Sequence, residues 1–89
     1  MLLIKGIKVE NFEGVVNQFI ISTNNGVLFQ SYNSIIALKR KGKIYLDKDY
    51  WDYSVTTGKY RNRFLGDDSI KETRKRIASG EYILTDLNK

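Results

Sequence analysis

The sequence contains neither cysteine nor histidine. Without thiols there are no disulfide staples and no thiolate nucleophile, and without imidazole the side chain that titrates near neutral pH is missing. Zinc-finger ligation is excluded along with them. Long apolar runs are lacking too. The run Met1-Leu2-Leu3-Ile4 is cut short by Lys5 and Lys8, which leaves no apolar region of signal-peptide length. Residues 14–38 carry no charged side chain, yet Asn17, Gln18, Ser22, Thr23, Asn24 and Asn25 deny them the apolarity of a membrane span. These absences point to a soluble, cytoplasmic protein with no membrane partner. Its stability must come from packing or from oligomerisation, and 89 residues are expected to form one small domain, 1–89, around a single core.

Charge is present, and it is polarised. Eight basic and three acidic residues lie between Lys39 and Arg63, so this stretch holds the whole net charge of +5, while residues 1–38 and 64–89 are each balanced. A positive field of this kind favours polyanions or an acidic protein face and weakens with salt.

The uncharged stretch reads as strands. Phe19-Ile20-Ile21 and Val27-Leu28-Phe29 flank Thr23-Asn24-Asn25-Gly26, where Asn-Gly suits the positive φ angles of a tight hairpin. After Tyr32-Asn33, the apolar Ser34–Leu38 run leads into a basic turn, Lys39-Arg40-Lys41-Gly42, and then Lys43–Leu46. Leu2 to Val9 adds an N-terminal strand, with Asn11 to Gly14 as its turn and Gly6 as a weak point. Beyond Trp51 the period becomes helical. Thr56 or Thr57 caps a short helix that runs to Leu65, with Tyr60 and Phe64 on one face and Gly66 as terminator. Ser69-Ile70-Lys71-Glu72 has capping-box spacing for a second helix with Ile70 and Ile77 facing inward. Asp67 and Asp68 suit its positive end, and Gly80 closes it. Tyr82–Thr85 can return as a last strand. The expected fold is α+β: an antiparallel meander of three to five strands with two short C-terminal helices packed on it.

The residues from Tyr50 to Leu65 concentrate aromatic, hydroxyl and basic groups where strand gives way to helix. With Thr57 as N-cap, the amides of Gly58 and Lys59 and the hydroxyls of Thr56 and Thr57 would converge on an anion. Lys59, Asn62 and Arg63 then share a helix face opposite Tyr60 and Phe64, and Arg61 adds a further cation. Basic residues on a short helix are ordinarily a solvated face, which is the plainer reading. Lys39, Arg40, Lys41 and Lys43 could lie on phosphates, although a charged turn also keeps a hairpin soluble. Tyr45, Tyr50, Trp51, Tyr53 and Tyr60 offer stacking faces for bases, against the simpler expectation that Trp51 and at least two of these tyrosines are core. Gly58-Lys59 is not a P-loop, because the motif's first Gly and final Ser or Thr are replaced by Tyr53 and Tyr60. Asp47, Asp49 and Asp52 lack the Gly and terminal Glu of a calcium loop, and no nucleophile is spaced with a base. No catalysis, metal or cofactor is expected.

Two strings, Phe29-Gln30-Ser31-Tyr32-Asn33-Ser34-Ile35-Ile36-Ala37 and Trp51-Asp52-Tyr53-Ser54-Val55-Thr56-Thr57-Gly58-Lys59-Tyr60-Arg61-Asn62-Arg63-Phe64-Leu65-Gly66, resemble a group of short, uncharacterised proteins of bacteriophages and mobile elements of Gram-positive bacteria. With the spacer between them they cover roughly half of the chain. The resemblance transfers no activity. It implies a small accessory protein that acts by binding, in host takeover, DNA transactions or evasion of host defence.

Three readings follow. In the first, Lys59, Arg61 and Arg63 with the Lys39–Lys43 turn hold nucleic acid or a nucleoprotein. In the second, the same patch meets an acidic surface of a host nucleic-acid-handling protein, as in an inhibitor of the anti-CRISPR or anti-defence kind. A third has the uncharged strands pairing through a free edge as a homodimer.

Overall fold

Three two-residue turns fix the order of the sheet. The computed structural model describes residues 6–88, and in them β1 (Lys8–Asn11), β2 (Gln18–Thr23), β3 (Gly26–Ser31), β4 (Ser34–Arg40) and β5 (Lys43–Asp47) form an antiparallel meander. Two helices follow, α1 (Val55–Leu65) and α2 (Ile70–Ala78), and β6 (Tyr82–Thr85) returns beside β5, pairing in parallel. A parallel neighbour requires a crossover, which the two helices supply. The architecture is thus α+β with a six-stranded sheet in the order β1 to β6. The five-strand meander agrees with the sequence reading, and β6 extends it by a sixth strand.

The turn chemistry is local, but one turn differs from its sequence reading. Lys41 and Gly42 both have positive φ (50° and 77°), the pattern of a hairpin turn whose twist matches the strands. In the β2–β3 hairpin the loop pair is instead Asn24-Asn25, whose backbone is held by Thr23: its hydroxyl accepts from the Asn25 amide at 3.1 Å and donates to the Gly26 carbonyl at 2.9 Å. Gly26 is already in β3. It is glycine for another reason, since a Cβ there would stand 2.5 Å from the Lys39 carbonyl oxygen of the neighbouring strand.

Among the described residues the N-terminal strand starts at Lys8, with Gly6 and Ile7 outside it. Residues 2–5 lie outside the described residues, Lys8–Asn11 pairs with β2, and Phe12–Gly14 forms a single 3₁₀ turn. That turn drops Phe12 onto the helix side of the sheet, where it meets the rings of Phe29, Tyr60 and Phe64 edge-on at centroid distances of 5.8, 6.3 and 6.4 Å.

The core is Phe29, Ile36, Ala37, Leu46, Phe64 and Tyr82, with Ile20, Val27, Ile44, Trp51 and Tyr60 packed against it. A bulge in β4 helps to fill it. Phe29 pairs with Ala37 but Gln30 pairs with Ile35, so Ile36 is the extra residue, and both Ile36 and Ala37 are fully buried. The aromatic cluster accords with the expectation that Tyr60 and Phe64 face inward. It departs from the expectation that two of the clustered tyrosines join Trp51. Only Tyr60 does so, while Tyr50 and Tyr53 are exposed and meet edge-on at 5.9 Å.

The C-terminal end is tied down by Asp47. One carboxylate oxygen accepts from the amides of Asp49 (3.0 Å) and Tyr50 (2.9 Å), and the other accepts from Leu87 (2.8 Å). Next to it Asn88 completes the unpaired end of β4, accepting from the Ile35 amide and donating to the Ile35 carbonyl. Burial pushes the Asp47 carboxyl up, but the hydrogen bonds from Leu87, Asn88, Asp49 and Tyr50 outweigh it and hold the group below its ordinary value. The folded protein therefore binds this proton less readily than the unfolded chain. Its contribution is present above about pH 4 and disappears as pH falls through the lowered folded value. Urea midpoints measured from pH 5 to pH 2 should fall more steeply for the wild type than for Asp47→Asn. Equal slopes would mean that Asp47 has no part in acid unfolding.

Candidate functional site

Ten polar or basic residues stand out in the sequence as a binding surface, and the fold divides them. The helix they were placed on starts earlier than Thr56 or Thr57. Ser54 is the N-cap, its hydroxyl accepting from the Thr57 amide at 3.1 Å, while the Gly58 amide already donates to the Ser54 carbonyl at 2.9 Å. Moving the cap by two to three residues takes the Gly58 amide into the helix, so an anion cradle at Gly58 and Lys59 does not form. Thr57 is fully buried and shares a 2.8 Å hydrogen bond with the Ser31 hydroxyl of β3. It fastens α1 to the sheet. Thr56 is exposed on the first turn.

Arg61 is the largest correction. Its side chain is 1 % exposed, and its guanidinium donates to the Trp51 carbonyl at 2.7 Å and to Asn62 Oδ1 at 2.9 Å. It also stands 5.2 Å from the Trp51 ring and 3.6 Å from Asp52. Burial pulls its affinity for the proton down, and Asp52 opposes that. Arg61 is the pin that holds the 48–54 loop against α1, and Asn62 is its acceptor, receiving also a long bond from Thr73. Neither presents its polar end to a partner. Arg63 keeps half its surface but is paired with Glu13 of the 3₁₀ turn. Lys39 belongs to β4, not to the turn. It crosses the helix side of the sheet, donates to the Phe64 carbonyl in the last turn of α1 and lies 4.3 Å from the Phe64 ring centre, where the helix dipole favours a cation.

Four cations of the expected ten residues remain exposed and without an ion pair among the described residues: Arg40, Lys41, Lys43 and Lys59. The first three form one cluster. Arg40 and Lys43 are directly opposite each other across the β4–β5 ladder, with Lys41 at the tip between them. Like charges facing across a strand pair oppose folding by up to about 1 kcal/mol. Lys59 stands apart, on the outer side of α1.

Beside α1 lies a groove of about 360 Å³, lined by Asp52, Ser54, Val55, Lys59, Asn62 and Ile70 among others. Its surface is largely apolar, with Val55 92 % exposed, and Asp52 and Lys59 each bring one charge to it.

A second polar centre escaped the sequence reading entirely. Asp67, expected to serve as a charge at the start of α2, is buried behind Ser69, the actual N-cap. Its carboxylate accepts from Thr73 Oγ1 at 2.7 Å and from the Tyr82 hydroxyl at 2.8 Å, and Arg76 Nε lies at 3.3 Å, ion-paired without hydrogen-bond geometry. Arg76 also joins Glu72 and Glu81, which strengthen its hold on the proton. Burial and then Asp67 push the Tyr82 phenol well above its ordinary value. Nothing in the order of these residues along the chain signals that they meet.

A family model described as a family of unknown function (DUF8033) matches residues 6–80. No curated protein and no solved structure matches the chain.

Proposed function

We propose, from the premise that the chain belongs to DUF8033, a family of unknown function with no activity to transfer, that this is a non-enzymatic accessory protein that binds nucleic acid or a nucleoprotein through its basic β4–β5 hairpin. The observation that carries the reading is the unpaired triad Arg40, Lys41 and Lys43 at one hairpin tip. Three other cations of the basic stretch are engaged within the molecule: Lys39 on α1, Arg61 on the 48–54 loop, Arg63 on Glu13. A local arrangement that opposes folding is commonest where a site needs it. Phosphates would take up the three charges without base recognition, giving positioning more than sequence specificity. The setting we propose, action on host or phage nucleic acid in the host cytoplasm, is the one that the resemblance read from Phe29–Ala37 and Trp51–Gly66 implies.

Fluorescence anisotropy with single- and double-stranded DNA and RNA, repeated over a salt series, tests this. Affinity should fall steeply with salt, and Arg40→Glu with Lys43→Glu should weaken binding at least roughly tenfold and make the salt slope shallower by about two. Lys59→Glu should have the smaller effect. Absence of salt-dependent binding at low ionic strength would sink the nucleic-acid reading and direct pull-downs toward acidic faces of host defence enzymes.

A further inference from the structure

The two helices cover one face of the sheet. Their contacts with it run through Ser31, Lys39 and Tyr82, which the strand register places on the same side as Phe29, Ile44 and Leu46. On the other side the register lines up a different row. Val9 pairs with Ile21, Ile21 with Leu28, Leu28 with Leu38, Leu38 with Tyr45 and Tyr45 with Ile83. One apolar residue from each of the six strands therefore forms an unbroken stripe across the whole sheet. None of the six belongs to the core or to the residues packed against it. The ends are exposed, Val9 at 58 % and Ile83 at 37 %, and the four between are shielded only in part.

The next row toward the 32–33 turn is Asn11, Phe19, Gln30 and Ile35, continued by Asp47 and Thr85, with the Asp47 carboxylate buried and bonded to the amides of Asp49, Tyr50 and Leu87. On the other side of the stripe lie Arg40 and Lys43. The face is apolar and uncharged over most of its extent, with both of its cations at one end.

We infer that this uncovered face is the interface of a homodimer, in which two sheets pack face to face with the helices outermost. Three arguments select a second copy. Size comes first: six strands about 4.8 Å apart and three residue layers along them span on the order of 500 Å². Two copies together reach the roughly 1,000 Å² that a specific interface needs, and a patch on the order of 500 Å² is in the range of the largest on a protein surface, where such patches are often functional. Self-complementarity is the second. A two-fold axis along the stripe brings each stripe residue against its own equivalent, aliphatic on aliphatic at five positions and Tyr45 on Tyr45, as an isologous contact requires. Charge is the third, because that same axis sends the two Arg40–Lys43 pairs to opposite ends, over the Ile35–Asp47 end of the partner's next row, where the one charge is opposite in sign, and leaves them at the solvated rim. The alternative axis, along the strands, would bring the four cations together. Sheets packed in this way lie about 10 Å apart with their strands roughly 30° from alignment.

This dimer differs from the edge-paired one expected from the sequence. The uncharged strands have no free edge, since β2 lies between β1 and β3, and β3 between β2 and β4. The inference holds whether or not the hairpins take up nucleic acid.

Sedimentation velocity on the full chain, from about 1 to 200 µM, tests it. The wild type should sediment at twice its 10.3 kDa mass. Leu38→Arg, at the centre of the stripe, and Ile83→Arg, at its exposed end, should each weaken dimerisation by about thirtyfold or more, as expected for a charge forced into an apolar interface. Val55→Arg, on α1 and outside the stripe, should remain dimeric. Circular dichroism checks that each variant is folded, and Ile83→Arg carries the test if Leu38→Arg does not fold. A wild type that is monomeric at the highest concentration would overturn the inference, and monomer that floats with anionic vesicles would reassign the face to a bilayer. Folded Ile83→Arg that dimerises as tightly as the wild type would overturn it as well.

Discussion

Asp67→Ala should lower stability by about 3–4 kcal/mol, the largest loss expected from any single polar substitution in this chain. The carboxylate accepts from Thr73 in α2 and from Tyr82 at the head of β6, and it is ion-paired with Arg76 of α2. Removing it leaves the Tyr82 hydroxyl and the Thr73 hydroxyl buried without their main acceptor, and an unmade buried hydrogen bond costs about 1–3 kcal/mol. Arg76 is the least affected, because Glu72 and Glu81 still hold it. For a domain with roughly 5–10 kcal/mol in total, such a loss brings it close to unfolding at physiological temperature. Asp67→Asn keeps one acceptor oxygen and should fall between wild type and Asp67→Ala. Chemical denaturation of the three proteins gives the comparison, and an Asp67→Ala variant within about 1 kcal/mol of wild type would show that the Thr73 and Tyr82 hydroxyls find other acceptors at little cost.

Arg61→Ala is expected to cost about 3 kcal/mol, a fall of roughly 10–20 °C in Tm for a domain of this size. The guanidinium carries the hydrogen bond that fastens the Trp51 carbonyl to α1, and it packs over the Trp51 ring besides. Its aliphatic stem fills volume that alanine leaves empty. Arg61→Lys should recover little, since one ammonium cannot reach both the Trp51 carbonyl and Asn62 in the fork geometry that the guanidinium uses. The same variants separate structure from binding. Below its lowered melting temperature Arg61→Ala should bind nucleic acid as the wild type does, whereas Arg40→Glu with Lys43→Glu should melt like the wild type and bind poorly. Loss of binding in a fully folded Arg61→Ala would return Arg61 to the contact surface.

These two residues mark where sequence reading stops. Arg61 and Arg63 are two positions apart in one helix, yet one is sealed against Trp51 and the other reaches Glu13 at the surface. Asp67 and Asp68 are neighbours, and only the first is buried. Charge in a sequence does not say which way a side chain turns, because the decision is made by residues ten to fifty positions away. Lys39 is a further case, drawn out of the basic turn by the Phe64 carbonyl twenty-five residues later in the chain.

The sequence alone determined whatever depends on neighbours along the chain. Hairpins formed where Asn, Gly and polar pairs interrupt β-branched runs, α1 stopped at Gly66, and α2 ran from Ser69 to the Ser79-Gly80 stop, because turn and cap chemistry acts over three or four residues. The same short range fixed the charge balance that points to a polyanion. Only the tertiary structure decided which cations remain available, since long-range hydrogen bonds, burial and an ion pair withdrew Lys39, Arg61 and Arg63 and left Arg40, Lys41, Lys43 and Lys59. It also decided the apolar stripe: each strand alternates by itself, but Val9, Ile21, Leu28, Leu38, Tyr45 and Ile83 come into one line only when five pairings set the register, bulge included.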